Sequence, residues 1–208
     1  MPIAFHETLV LGIGNLLWAD EGFGVRCVEH MAEHYDLPER VQLLDGGTQG
    51  LYLLPYVQQA CRLIVFDAID YGLPPGTMRL IENAEVPRFM GAKKMSLHQT
   101  GFQEVIAAAE LTGQCPAEML LIGIQPVELD DYGGSLRAPI AARLAVAVYL
   151  AARRLRRWGM DVRRRATPVA KPAPSPLSIS SYESDRPSAD AACRFGDARV
   201  LAVPAERG

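Results

Sequence analysis

Leu9 to Val25 reads LVLGIGNLLWADEGFGV, and how its first residues are read decides the fold. A short apolar run closed by Gly12 and Gly14 is the pattern of a buried parallel strand whose C-terminal end opens toward a helix N-terminus. Open α/β sheets bind their ligands at that edge. Asp20 and Glu21 stand in the loop there. Either they take part in chemistry, or Asp20 caps the following helix and Glu21 complements its dipole. Spacing alone leaves both readings open.

Working outward, a helix is predicted from about Asp20 to Tyr35, with Val25, Val28, Met31, Ala32 and Tyr35 on one stripe facing the sheet. The same helix carries His30-Met31-Ala32-Glu33-His34, which matches the H-x-x-E-H pattern of some zinc proteases. At 100° per residue the two histidines lie roughly 200° to 240° from Val28. They fall beside Arg26, Glu29 and Glu33, so a solvated face is the expected environment. Further strands are predicted at Val41 to Leu44, ending in Asp45, and at Arg62 to Phe66, ending in Asp67. Helical crossovers between them imply a parallel sheet in which the first strand lies between the second and third. Glu21, Asp45 and Asp67 are then expected to converge on one edge.

A fourth strand, Thr77 to Glu82, follows a Pro-Pro-Gly turn too tight for a crossover, so it is expected to run antiparallel to the third. Ser96-Leu97-His98-Gln99 has the form of a capping box, which puts His98 in the first turn of a helix that buries Phe102, Val105, Ile106 and Ala109. The positive end of the helix dipole favours a neutral imidazole there. Met119 to Ile124 is the fifth strand, and a helix from Pro139 to about Trp158 closes the domain.

The formal net charge of −3 conceals an asymmetry: residues 1 to 152 hold 9 Lys/Arg against 18 Asp/Glu, and residues 153 to 208 hold 12 against 6. An acidic body argues against nucleic-acid binding. No apolar run approaches the ~20 residues that span a bilayer, and the N-terminus has no secretory pattern, so a cytoplasmic protein is expected. Cys27, Cys61, Cys115 and Cys193 form no CxxC pair and are read as reduced, with Cys27 and Cys61 as packing residues. Residues 1–159 are expected to form one α/β domain. The Pro, Ser and Arg-rich residues 160–208 are expected to be a disordered tail.

Glu21, Asp67 and His98 together would offer two carboxylate oxygens and one imidazole nitrogen from three loops at one sheet edge. That is an open N/O site suited to nickel, zinc or manganese. Gly22, Gly24, Gly46, Gly47 and Gly50 nearby would let another chain's backbone approach.

The ordered segments GIGNLLWADEGFGVR, DGGTQG, VFDAID, PGTM, KMSLHQTG and LIGIQPVELD together resemble the hydrogenase maturation protease family. The resemblance covers about Thr8 to Leu155 and leaves out the tail. It implies a three-layer α/β/α fold with a five-stranded, mostly parallel twisted sheet. It further implies an endopeptidase that removes a C-terminal extension from the nickel-loaded large-subunit precursor of [NiFe] hydrogenase. On that resemblance Glu21, Asp67 and His98 are the metal-binding residues, engaging nickel that the substrate carries, with no tightly held metal of the protease's own. Asp45 matches a further acidic position, and Asp45 or Asp67 is the candidate general base. The expected partner is the precursor, with neither nucleic acid nor membrane, and the protease is expected to be a monomer.

Two other classes compete. A nucleotide-binding enzyme would use Gly12-x-Gly14, but Leu17 stands where G-x-G-x-x-G needs glycine, and Asp20 and Glu21 would repel a phosphate. A non-catalytic binding module or chaperone for the same precursor would keep the ligands and lack cleavage.

Overall fold

The computed structural model describes residues 6–87, 97–133 and 135–169. Strand β1, Thr8–Ile13, is buried along its whole length. It pairs in parallel with β3, Val41–Gly47, on one side and β4, Arg62–Ala68, on the other. The sheet continues through β6, Glu118–Ile124, to β5, Met78–Glu82, in the order β3-β1-β4-β6-β5. Four strands are parallel, and β5 alone runs antiparallel to its neighbour.

The fourth strand of the sequence is therefore antiparallel, but it pairs with β6 rather than with β4. The reason lies in the two compositions. β6 is apolar on both faces and buried from Met119 onward, so it needs a neighbour on each side. β5 exposes three of its five residues and suits an edge.

Helix α1, Phe23–His34, and helix α5, Leu144–Arg157, cover one face of the sheet. Val10, Phe66, Ile122 and Ile124 from the strands meet Phe23, Cys27, Val148 and Leu155 there. Helix α2, Leu54–Gln59, and helix α3, Leu97–Leu111, cover the other face, where Leu9, Leu11, Leu63 and Val65 meet Val57, Phe102, Val105 and Ile106. The result is the expected three-layer α/β/α sandwich. A single helical turn, α4 at Ala138–Ala141, precedes α5. Between them the hydrogen bond from Arg143 N–H to the Ile140 carbonyl tightens the chain, and both Ile140 and Leu144 reach the core.

Several local expectations change. The stripe on α1 holds at Val25, Val28, Met31 and Tyr35, whereas Ala32 is exposed. Cys27 is buried as expected, but Cys61, in the turn before β4, is exposed and does not pack. Cys193 and Ser96 lie outside the described residues.

The folded body also continues past residue 159. Met160 and Val162 are 3% and 4% exposed and join the α1/α5 core. Strand β7, Arg163–Arg164, pairs antiparallel with β2, Tyr35–Asp36. Arg165 donates to the Ala32 and Glu33 carbonyls at the C-terminal end of α1 and to Asp36, which supplies a cation where the helix dipole is negative. Residues 160–169 thus form a strap over the end of α1. The expected disorder of residues 170–208 falls outside the described residues.

Candidate active site at the carboxyl edge of the sheet

The site is set by close approach of main chains. A Cβ on Gly24 would lie 2.2 Å from the Ile13 carbonyl oxygen and 2.3 Å from that of Phe66, and one on Gly12 would lie 2.3 Å from the Gly24 oxygen. Helix α1 therefore begins directly on the backbones of β1 and β4. Gly14, with φ of 131°, faces the Glu21 carbonyl oxygen, which an added Cβ would meet at 1.7 Å. These contacts carry the 3-10 turn Ala19–Gly22, with Glu21 in it, against the end of β4, where Asp67 stands. Glu21 and Asp67 are both buried, at 9% and 2% exposure.

Asp20 is not the helix cap that was one reading of its position. Its carboxylate makes no bond to its own helix. Instead the Val127 and Glu128 N–H groups donate to its Oδ2 at 2.8 and 3.0 Å, and the Arg137 N–H donates to its Oδ1 at 2.7 Å. Asp20 is fully buried. The bonds run from the loop after β1 to the acidic loop after β6. The Asp20 N–H in turn donates to the Glu128 carbonyl, the Gly133 N–H donates to the Leu17 carbonyl, and the Trp18 and Tyr132 rings meet edge to face at 5.3 Å. Ala19 is held among these contacts at φ of 32°, a left-handed value that costs a residue with a Cβ of order 1–3 kcal/mol. The backbone one residue before the Asp20–Glu21 pair is thus fixed by its surroundings rather than by its own preference.

Strand alternation then decides which acids share a face. Asp67 pairs with Gly123 and alternates with Leu63 and Val65, so it points to the layer of α2 and α3. His98 is the second residue of α3, and its side chain lies outside the described residues. Asp45 pairs with Gly12 and alternates with Leu43, so it points to the opposite layer, toward α1. Its charged neighbours there are Glu29 and Arg26. The three carboxylates reach one edge, as expected, but Asp45 does not share a face with Asp67. Partial burial raises the Asp45 pKa above the ordinary carboxylate value, the Gly47 N–H lowers it, Glu29 raises it and Arg26 lowers it.

Two residues of the site were not read from the sequence. The Tyr71 phenol lies over Gly123, where an added Cβ would meet its oxygen at 1.9 Å. Burial, and next the Asp67 carboxylate, hold the Tyr71 pKa well above its ordinary value, so the phenol keeps its proton beside that acid. Gln125 pins the same loop: its Oε1 accepts from the Tyr71 and Leu73 N–H groups at 2.7 and 3.1 Å, and its Nε2 donates to Asp70 at 3.0 Å. The signal for Tyr71 was available in Gly123, because a glycine inside an apolar strand marks close approach by another group.

The glycine turn after β1 is filled by the Glu21 backbone, which leaves no cradle for a phosphate. The buried carboxylates of Glu21 and Asp67 could instead serve as oxygen donors to a divalent transition ion.

Comparison with known proteins points to one family. A family model described as hydrogenase maturation protease matches residues 25–154. The hydrogenase expression/formation protein HupD of Rhodobacter capsulatus is 61% identical over 94% of this chain and 93% of its own length. That match takes in most of the segment after residue 159, which the sequence resemblance had left out. The hydrogenase 2 maturation protease of Escherichia coli is 38% identical over 74% of this chain and 93% of its own. Among solved structures, the hydrogenase maturating endopeptidase HybD from E. coli superimposes with a TM-score of 0.73 at 37% identity, covering 77% of this chain and 98% of that one.

Proposed function

The chain belongs to the hydrogenase maturation protease family and is an endopeptidase, and from that premise we propose that it removes a C-terminal extension from a [NiFe] hydrogenase large-subunit precursor once nickel is in place. The observation that carries this reading is the buried pair Glu21 and Asp67 at the carboxyl edge, on the face to which α3 brings His98. Two carboxylates and an imidazole suit the borderline preference of nickel for nitrogen and oxygen donors. Here nickel is part of the substrate. Glu21, Asp67 and His98 take up coordination positions that the precursor leaves open on its metal, so an unloaded precursor offers them nothing to hold. Selectivity follows from that difference.

Cleavage needs a base for the attacking water and a proton for the departing amine. Asp45 stands at the same edge with its pKa raised above the ordinary carboxylate value by partial burial, and is the candidate base. Asp67 has the burial that suits a ligand, and the Tyr71 phenol stands beside it as a proton-bearing donor toward any oxygen bound there. Metal held at the edge would polarise the scissile carbonyl. No helix among the described residues is long and apolar enough to cross a membrane. Cys27, Cys61 and Cys115 are free thiols, in keeping with a reducing compartment such as the cytoplasm.

The test is to incubate the full chain with nickel-loaded and nickel-free precursor and to follow precursor mass. Shortening of the loaded form alone is the expected result. Equal cleavage of both forms overturns recognition through the metal, and binding of the loaded form without cleavage favours a chaperone.

A further inference from the structure

The H-x-x-E-H segment on α1 is not the solvated face that its helical angle predicts. Arg26 is 3% exposed and paired with Glu29, and His30, Glu33 and His34 are half-buried. His30 and His34 border an open cavity of ≈ 340 Å³ whose other walls are Tyr35, Ala145, Val146, Tyr149, Arg156 and Arg164. Helix α5 and the strap of residues 160–169 build the other side of this groove with exposed side chains, and neither was foreseeable from α1 by itself.

From this cluster we propose a second transition-metal site, formed by His30, Glu33 and His34, that takes a divalent ion with a preference for nitrogen, Zn²⁺ foremost. Among the described residues these three offer ligand atoms that all lie within 4.8 Å of one another. A four-coordinate ion with bonds of about 2.0–2.2 Å spaces its ligand atoms by about 3.4 Å. Side-chain rotation closes that gap without movement of the helix, because positions i and i+4 already share one face.

The ring chemistry is arranged for it. His34 Nδ1 lies 2.9 Å from the His30 carbonyl oxygen, which can only accept, so Nδ1 carries the proton and Nε2 keeps its lone pair. Bonds of this kind orient metal-binding imidazoles. The two rings stack with centroids 4.0 Å apart and 22° between planes, an arrangement that two imidazolium ions would not hold.

Arg156 and Arg164 bring positive charge to the same cavity. Arg156 is fixed by its bond to the Val162 carbonyl. Their repulsion excludes ions that bind weakly through oxygen, such as Mg²⁺ and Ca²⁺, and leaves those whose bonds to imidazole outweigh it. They also favour an anion or a carboxylate in the remaining coordination positions. The site lies at the far end of α1 from Glu21, about 14 Å along the helix at 1.5 Å per residue, so it does not share ligands with the cleavage edge. Nor does it depend on the proposed recognition of nickel.

The deciding experiment is equilibrium dialysis of the full chain against Zn²⁺ at pH 7.5, with bound metal measured by atomic emission. Four proteins are compared: the parent, the double variant His30→Ala with His34→Ala, Glu33→Gln, and the double variant Glu21→Gln with Asp67→Asn. One equivalent present in the parent should be lost from the double-histidine variant and retained by the Glu21 and Asp67 variant. Glu33→Gln should weaken that equivalent by about tenfold or more. Near-UV circular dichroism checks folding, and His30→Gln alone replaces the double variant if it folds poorly. Unchanged stoichiometry and affinity in the histidine variants overturns the site, as does loss confined to the Glu21 and Asp67 variant.

Discussion

Asp20 offers a demanding test of how the site is held. Replacing it by Ala leaves the N–H groups of Val127, Glu128 and Arg137 without their shared acceptor. Each unmet buried donor costs about 1–3 kcal/mol. Water entering the vacated space recovers part of that, so the expected loss is about 3–5 kcal/mol, set against a typical total of 5–15 kcal/mol. Asn keeps one carbonyl oxygen for either Arg137 or the Val127/Glu128 pair and turns an NH₂ group toward the other, so about 2–3 kcal/mol is expected. For a domain of this size that corresponds to a fall in Tm of roughly 2–4 °C per kcal/mol. Guanidinium melts at pH 7 measure the stability, and the precursor assay at a temperature where both proteins are folded measures function. Because Glu21 follows Asp20 directly, processing should fall further than the loss of folded population explains. A stability loss below about 1 kcal/mol in Asp20→Ala refutes the clamp. Parental processing by a destabilised Asp20→Asn refutes the claim that the clamp places Glu21.

Three further outcomes are expected. Gly24→Ala puts a Cβ 2.2–2.3 Å from two carbonyl oxygens and should cost about 3 kcal/mol or more, whereas Gly113→Ala, with φ of 67° and open space, should cost only about 1–2 kcal/mol of backbone strain; equal Tm shifts would contradict the backbone contact. Asp45 has a raised pKa in the folded state, so its contribution to stability is full below the ordinary carboxylate value and is lost as pH rises through the folded one. Asp45→Asn should accordingly melt at or above the parent at pH 7 and lose that standing near pH 3.5, and the opposite trend in thermal melts would reverse the assignment. Glu21→Gln and Asp67→Asn should each lower processing by at least about 10²-fold, as groups acting directly on the reacting centre do, with melting temperature unchanged or raised; full activity in either removes that residue from the site.

What the sequence disclosed and what it hid divide along local and distant causes. β1 and the stripes of α1 and α3 were legible because periodicity is a property of neighbouring residues. The partner of β5 was not, because a tight Pro-Pro-Gly turn fixes direction and says nothing about which strand completes the pair. Asp20 looked like a cap because its three true partners lie more than a hundred residues away. Asp45 was grouped with Asp67 because both end strands, while the face each presents depends on register. The strap after residue 159 has no periodic pattern, and its attachment rests on two apolar residues, Met160 and Val162, and one arginine, Arg165. Of the residues expected to hold metal, Asp67 stands at a strand end, Glu21 in the turn that leads into α1 and His98 at a helix start, positions that local signals mark.

The joint between α1 and the sheet has a consequence for how freely the rest of the domain can change. Where a helix rests on side chains, each substitution beneath it alters its height. Here the main chain of Gly24 rests on the main chains of Ile13 and Phe66, with Gly12 opposite, and those surfaces are the same for every amino acid that lies elsewhere in the core. The offset between Glu21 and Asp67 is thus referenced to the backbone, much as a machined part is located against a fixed stop. Repacking Phe23, Cys27 or Val65 should spend stability long before it moves either carboxylate, and the two faces of the sheet are left to drift independently around a cleavage edge of constant gauge.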